Sequence, residues 1–165
     1  MNSINDRTAQ IAEAAAKLDK KVFDPEAFAK TPTSRRELQA ESCKLASLEE
    51  AIRKSGLKDG MTISFHHHFR GGDKVVNMVV DKLAEMGYKD LHLAASSLSD
   101  VHKPLIDHIR NGVITRISTS GLRGELANEI SHGLMKEPVI FRSHGGRGSA
   151  IASGDLHIDV AFLGA

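Results

Sequence analysis

From residue 59 onward the chain alternates between short apolar runs and amphipathic stretches, and this rhythm restricts the fold more than any other feature. MTISFHHHF, DLHLAA, VITRIS, EPVIFRS and HIDVAFLGA have the length and composition of strands. Between the first two, KVVNMVVDKLAEM sets Val76, Val79, Val80 and Leu83 at helical spacing, with Asp73 as cap and Gly87 as stop. VHKPLIDHIRN and ELANEISHGLM read as the next two helices. The glycine-rich HGGRGS leads into a short helical or irregular piece before the last strand. A right-twisted strand packs its crossover back on the sheet in one hand only, so such a series gives right-handed βαβ units. The expected fold is α/β with a parallel sheet.

Upstream of this series, Ser47-Leu-Glu-Glu50 is a capping box that opens a helix, and Gly56 is its stop. Residues 6–20 carry Ile11, Ala15 and Leu18 on one stripe, and FDPEAFAKTPTSRRELQ holds two of the four prolines. Residues 1–46 therefore read as an N-terminal helical extension or linker, and 47–165 as the compact part. The last run, IDVAFLGA, is of buried-strand type and has no helix after it. The expectation is a piece of a longer protein, with the sheet incomplete at its C-terminus.

Several function classes lose support. The net charge is +1, so no bulk field draws the chain to nucleic acid or a membrane. One Tyr, six Phe and no Trp leave few platforms for stacking bases. Cys43 is the lone cysteine, which rules out an internal disulfide and a cysteine zinc cluster. No stretch reads as a signal peptide or a membrane span, and a cytoplasmic location is expected.

In a parallel sheet every strand ends on the same edge, and ligands bind in the crevice there. Four polar loops fall on that edge: HHHFRGGD (66–73), SSLSD (96–100), TSGLRG (119–124) and RSHGGRGS (142–149). Arg70, Arg123 and Arg147 each neighbour a glycine, and serine hydroxyls and histidines stand beside them. Guanidinium forks, backbone N–H groups exposed by glycine and helix N-termini all favour carboxylate or phosphate. The bland reading is that surface loops are glycine- and serine-rich for turn geometry alone.

The histidine triplet has three readings. On a strand His66 and His68 share a side and His67 points away. Two such imidazoles can chelate zinc, but a zinc site wants a third ligand, from His144 or Asp100, and no recognised metal spacing is present. Otherwise they line the crevice as carboxylate donors, or pack structurally. No metal is expected. His92, His102, His108, His132 and His157 read as surface or satisfied structural residues. There is no Gly-x-Ser-x-Gly elbow, P-loop or GxGxxG. Glu125 and Asp100 suit helix starts as well as acid–base work, and Cys43 receives no chemistry.

The run from Ser47 to Leu134, which contains ISFHHHFRGGD, LAASSLSD and STSGLRGE, together with RSHGGR and IDVAFLGA, resembles the citrate lyase alpha-subunit family. That family falls within the family I coenzyme A transferases, whose domains are doubly wound, mostly parallel α/β sheets. The resemblance implies a partial coenzyme A transferase domain over 47–165. It implies exchange of acetyl for citrate on an acyl-carrier-protein thioester, a step in citrate cleavage to oxaloacetate and acetate. The implied cofactor is the carrier's phosphoribosyl-dephospho-coenzyme A group, or a coenzyme A thioester as substrate, with none resident in this chain. The implied partners are citrate, the acyl carrier (gamma) and lyase (beta) subunits and a further copy of the chain, with no nucleic acid and no membrane.

The family's nucleophile is a Glu in a Glu-x-Gly-x-x-Gly segment. The nearest string, Glu85-Met-Gly87-Tyr-Lys-Asp90, lacks the final glycine. No catalytic residue is assigned within the chain, and the nucleophilic Glu is expected beyond residue 165. HHHFRGG takes the place of the family's first glycine loop. The expected substrate contacts are His66, His68, Arg70, Gly71, Gly72, Ser96, Ser97, Ser120, Gly121, Arg123, His144, Gly145 and Gly146. Two alternatives from other classes are an assembly module of the complex without chemistry of its own, and a sugar-phosphate isomerase-like anion-binding domain.

Overall fold

The computed structural model describes residues 44–66 and 74–163, together with residues 13, 14, 16 and 17. The chain forms two compact units, Met1–Ser42 and Cys43–Ala165. In the first, the four described residues are helical, and Lys17 pairs with Glu13 one turn earlier at 2.8 Å. Ile11, Ala15, Leu18 and Cys43 lie outside the described residues.

The second unit opens with α1 (Leu48–Ser55). Its capping box forms: Glu50 N–H donates to Ser47 Oγ at 3.1 Å, and the Glu50 carboxylate accepts from Ala46 N–H at 2.9 Å. Gly56 ends the helix in the left-handed region at φ 73°. There follow β1 (Thr62–His66), α2 (Val75–Glu85), β2 (Leu91–Ala95), α3 (Leu105–Arg110), β3 (Ile114–Thr119), α4 (Gly124–Ser131), β4 (Ile140–Phe141), α5 (His144–Ser153) and β5 (Val160–Leu163).

The five strands form one sheet in the order β4-β3-β2-β1-β5, and every pairing is parallel. The chain steps outward from β1 to β4 and then returns across the sheet to place β5 on β1's other side. The order thus reverses at β1. Side-chain alternation shows that the two directions of winding use opposite faces. Ile63, Phe65, Leu91, Leu93 and Ile117 point into the main core, where Val76, Val79, Val80 and Leu83 of α2 meet them. Ser64 and Ala94 point the other way, and there Ala94 packs with Ala150 of α5 and Leu156. The fold is doubly wound, and burial of each large side chain in the main core contributes about 1.5–3 kcal/mol.

Four local expectations change. Asp73 lies outside the described residues, and Lys74 stands at the N-cap of α2 without a side-chain bond. VHKPLIDHIRN is not one helix: a 3₁₀ turn, Asp100–His102, precedes α3, with Pro104 at the junction. Pro104 has no N–H for a helical bond, so the ladder is interrupted there although Lys103 keeps helical angles at φ −48° and ψ −39°. EPVIFRS shrinks to two paired residues at the sheet's edge, both exposed. HGGRGS is not an open loop but the first turns of α5, because Ser143 Oγ accepts from Gly146 N–H at 3.0 Å and starts the helix there. No helix among the described residues is long and apolar enough to cross a membrane.

Candidate functional site

The crevice of a doubly wound sheet lies at the strand C-termini, where the order reverses. In this sheet that point is the end of β1. His66 is its last residue, exposed, in register with Leu163 of β5. The segment that follows carries His68, Arg70, Gly71 and Gly72, and these four lie outside the described residues.

Beside it the ends of β1, β2 and β3 are tied together by backbone bonds. Ser96 N–H donates to the Phe65 carbonyl at 3.2 Å, and Ser120 N–H donates to the Ser96 carbonyl at 3.3 Å. Beyond the strands the two loops continue to pair. Leu98 N–H donates to Gly121 O at 2.8 Å, Arg123 N–H donates to Leu98 O at 3.1 Å, and Leu98 and Leu122 form a parallel bridge. Thr119 Oγ1 donates to Gly121 O at 2.9 Å and folds the turn back. Ser97 closes on this turn so tightly that a Cβ at Gly121 would lie 3.2 Å from its Oγ. SSLSD and TSGLRG are thus one hydrogen-bonded rim. Buried Leu98 anchors it to the core.

The rim carries Ser96, Ser97, Ser120, Gly121 and Arg123. Ser96 is buried, Ser97 and Ser120 are half-buried, and Arg123 is exposed. Ser120 Oγ is sealed from solvent and has no hydrogen-bond partner among the described residues, an orphan that native structures seldom leave. Arg142 N–H donates to Thr119 O at 3.0 Å and carries the sheet's pairing one residue past β4. This places the start of α5, with His144, Gly145 and Gly146, on the same edge, where the helix N-terminus adds partial positive charge. The arrangement suits an oxyanion: hydroxyl donors, backbone N–H groups and a guanidinium on a rigid support. Glu125 is engaged with Lys103 at 2.7 Å, and Asp100 packs over Gly124, so both serve the start of α4.

The remaining histidines have structural partners. His108 meets Asp81 at 2.6 Å and His132 donates to Asn128 O at 2.7 Å. Fully buried His102 accepts from Ser99 N–H at 2.9 Å. Among the described residues no three His, Cys, Asp or Glu side chains gather to hold a metal ion.

A polar layer on the sheet's second face was not anticipated. His92 Nε2 lies 2.9 Å from Ser118 Oγ, and its Nδ1 lies 3.4 Å from Thr62 Oγ1. Arg147 Nη2 donates to Ser64 Oγ at 2.8 Å and to Ala94 O at 3.1 Å. The signal was present in the sequence. Polar residues alternate with apolar ones in T-I-S-F-H, L-H-L and R-I-S, as expected of strands with one polar face.

Burial, reinforced by the charges of Arg116, Arg142 and Arg147, holds the His92 imidazole below its ordinary pKa. The unfolded chain therefore takes up this proton first as the pH falls. The stability that neutral His92 contributes is fully present above about pH 6.5 and is lost as the pH drops toward the lowered folded value. Urea melts should show this loss, and His92→Gln should flatten that part of the profile. An unchanged profile in the variant would assign the loss to other groups.

Comparison with known proteins adds the following. Residues 42–165 match the family model described as citrate lyase, alpha subunit (CitF). The chain is 69% identical over 119 residues to the citrate lyase alpha chain of Escherichia coli (strain K12), which covers 72% of this chain and 23% of that protein. It is 72% identical over 118 residues to the citrate lyase alpha chain of Klebsiella pneumoniae, with 72% and 23% covered. A crystal structure assigned to the alpha subunit of citrate lyase from Streptococcus mutans, in complex with citrate, superposes with a TM-score of 0.73 at 60% identity. That match covers 77% of this chain and 26% of the other. The chain spans about a quarter of the length of the curated relatives it matches.

Proposed function

The chain belongs to the citrate lyase alpha-subunit family, and from that premise we propose that it is the citrate-binding part of an alpha subunit that exchanges acetyl for citrate on an acyl-carrier-protein thioester. The observation that carries this reading is the bonded rim of Ser96, Ser97, Ser120, Gly121 and Arg123 at the ends of β2 and β3, beside the point where the strand order reverses. The relative from Streptococcus mutans, solved with citrate, supports the choice of anion.

In the proposed reaction, citrate and the acetyl thioester give the citryl thioester and acetate. The beta subunit then cleaves the citryl thioester to oxaloacetate and restores the acetyl thioester. The thioester belongs to the carrier's phosphoribosyl-dephospho-coenzyme A group, or to coenzyme A, and the complex works in the cytoplasm. A Glu carboxylate attacks the thioester carbonyl and expels the thiolate. In this reading that Glu belongs to a part of the subunit outside these 165 residues. The residues here bind and orient. The rim's serine hydroxyls and the Arg123 guanidinium hold citrate's carboxylates in place, and fixed donors of this kind stabilise charge without reorganising. His66, the last residue of β1, is a further donor to the same anion in this reading, as are His68, Arg70, Gly71 and Gly72, which follow it in sequence and lie outside the described residues.

Calorimetric titration of the chain with citrate at fixed ionic strength tests the reading. Citrate should bind and raise the melting temperature, since a ligand at 100 times its Kd stabilises by about 2.7 kcal/mol. Arg123→Ala should weaken binding about tenfold, the usual scale of one charge-assisted bond. Absence of binding at high citrate concentration would refute a citrate site in this chain.

A further inference from the structure

Parallel sheets in doubly wound folds are ordinarily apolar on both faces. Here the second face carries Thr62, Ser64, His92 and Ser118, and α5 contributes one buried residue to it, Ala150. Two guanidiniums reach into this layer: Arg142 from just after β4, and Arg147 from the first turns of α5. Arg147 spends Nη2 on Ser64 and Ala94. Its Nη1 is sealed from solvent and unbonded among the described residues, and so is Nη1 of Arg142. Both side chains line a narrow gap with Ser118, Thr119 and Leu156. Neither has an Asp or Glu within ion-pair distance among the described residues.

Both side chains are half-buried, and a guanidinium nitrogen that is sealed from water is bonded as a rule, because leaving it unpaired costs its desolvation. Among the described residues nothing on this face supplies the missing negative charge. Burial and the neighbouring arginines keep His92 neutral, and Arg147 is itself pulled down in pKa by burial. Arg116 shares the face, but its Nη2 donates to the carbonyls of Gly60 at 2.9 Å and Asp90 at 3.4 Å, near the strands' opposite ends. The Arg142–Arg147 pair is therefore short of one oxyanion, and two adjacent forks suit a carboxylate. The gap sits at the end of β3, one residue before Ser120, whose hydroxyl is also sealed and unbonded.

We propose that Arg142 and Arg147 form a carboxylate subsite under α5, which takes one carboxylate of citrate while the rest of the molecule lies along the strand-end rim. The proposal rests on the citrate reading above. The gap is too narrow for a water molecule as it stands, so Arg142, whose side chain bonds to nothing among the described residues, swings aside to admit the carboxylate.

The test is citrate calorimetry on wild type, Arg142→Gln, Arg147→Lys and Arg116→Gln at one ionic strength. Arg142→Gln ties up no contact with the sheet and should fold normally. Arg147→Lys keeps the charge and loses the fork. Both should weaken citrate at least about tenfold, with Arg116→Gln within about twofold as a control for the general field of this face. Wild-type affinity in both variants overturns the subsite and leaves the citrate reading standing. A loss confined to Arg147→Lys, with Arg142→Gln unaffected, also overturns it, because a purely structural clamp would give that pattern. No citrate binding by wild type brings down the citrate reading and the subsite together.

Discussion

Replacing Gly124 by alanine should destabilise the fold by about 3 kcal/mol, the sum of left-handed strain and a steric conflict. Gly124 has φ 71° and opens α4 directly after the rim. A left-handed backbone costs an L-residue about 1–2 kcal/mol. The remainder comes from Asp100. An ideal Cβ at Gly124 would lie 1.6 Å from Asp100 Oδ1, 2.7 Å from its Cγ and 3.1 Å from its Cα. The carboxylate sits over the first turn of α4, where the helix dipole favours it, so moving it away has its own cost. The Asp100→Ala, Gly124→Ala double variant should recover the steric part but not the strain, which makes the pair a double-mutant cycle. Gly145 is the comparator. It lies inside α5 without positive φ, and a Cβ there meets nothing within 4 Å. Gly145→Ala should be neutral or stabilising by up to about 1 kcal/mol. Equal stabilities for the two alanine variants in urea melts would refute the argument.

Phe65→Ala should cost about 3–5 kcal/mol, the range for truncating a buried aromatic. Phe65 is 1% exposed and stacks on Phe162 of β5 with ring centroids 5.4 Å apart. The stack joins β1 to β5 where the strand order reverses. The same residue accepts Ser96 N–H through its carbonyl and lies between Ser64, which Arg147 holds, and His66. The loss should therefore reach the rim as well: Phe65→Ala should bind citrate more weakly than wild type under conditions where both are folded. Phe65→Leu retains most of the volume and should cost under about 2 kcal/mol. If the two substitutions cost the same, packing at this position does not set the stability.

Much of the fold was legible because its signals are local. The valines of α2 repeat at helical spacing. Ser47 and Glu50 form their box within four residues. Gly56 and Gly87 stop helices by adopting φ 73° and 86°, which other residues resist. The common edge of the four polar loops followed from parallel strands alone, and the rim of Ser96, Ser97, Ser120, Gly121 and Arg123 lies on it. Less legible were the helical start of α5 at a Ser-His-Gly-Gly string and the shortness of β4. A serine cap competes with glycine's preference for open loop, and the pairing of an edge strand depends on a neighbour distant in sequence.

The sequence by itself determined the order of strands and helices, their parallel sense and the edge on which the serine-, glycine- and arginine-bearing loops gather. Hydrophobic period and caps act within a few residues and need no partner. Only the tertiary structure decided that His92, Ser64 and Ser118 form one polar layer, and that Arg142 and Arg147 turn toward it, each with one sealed nitrogen, Nη1, that is unbonded among the described residues. Strand alternation says that two side chains share a face. Which other strand's residues lie beside them, and what a helix lays over them, depends on pairing across 26 residues between His92 and Ser118 and 83 between Ser64 and Arg147.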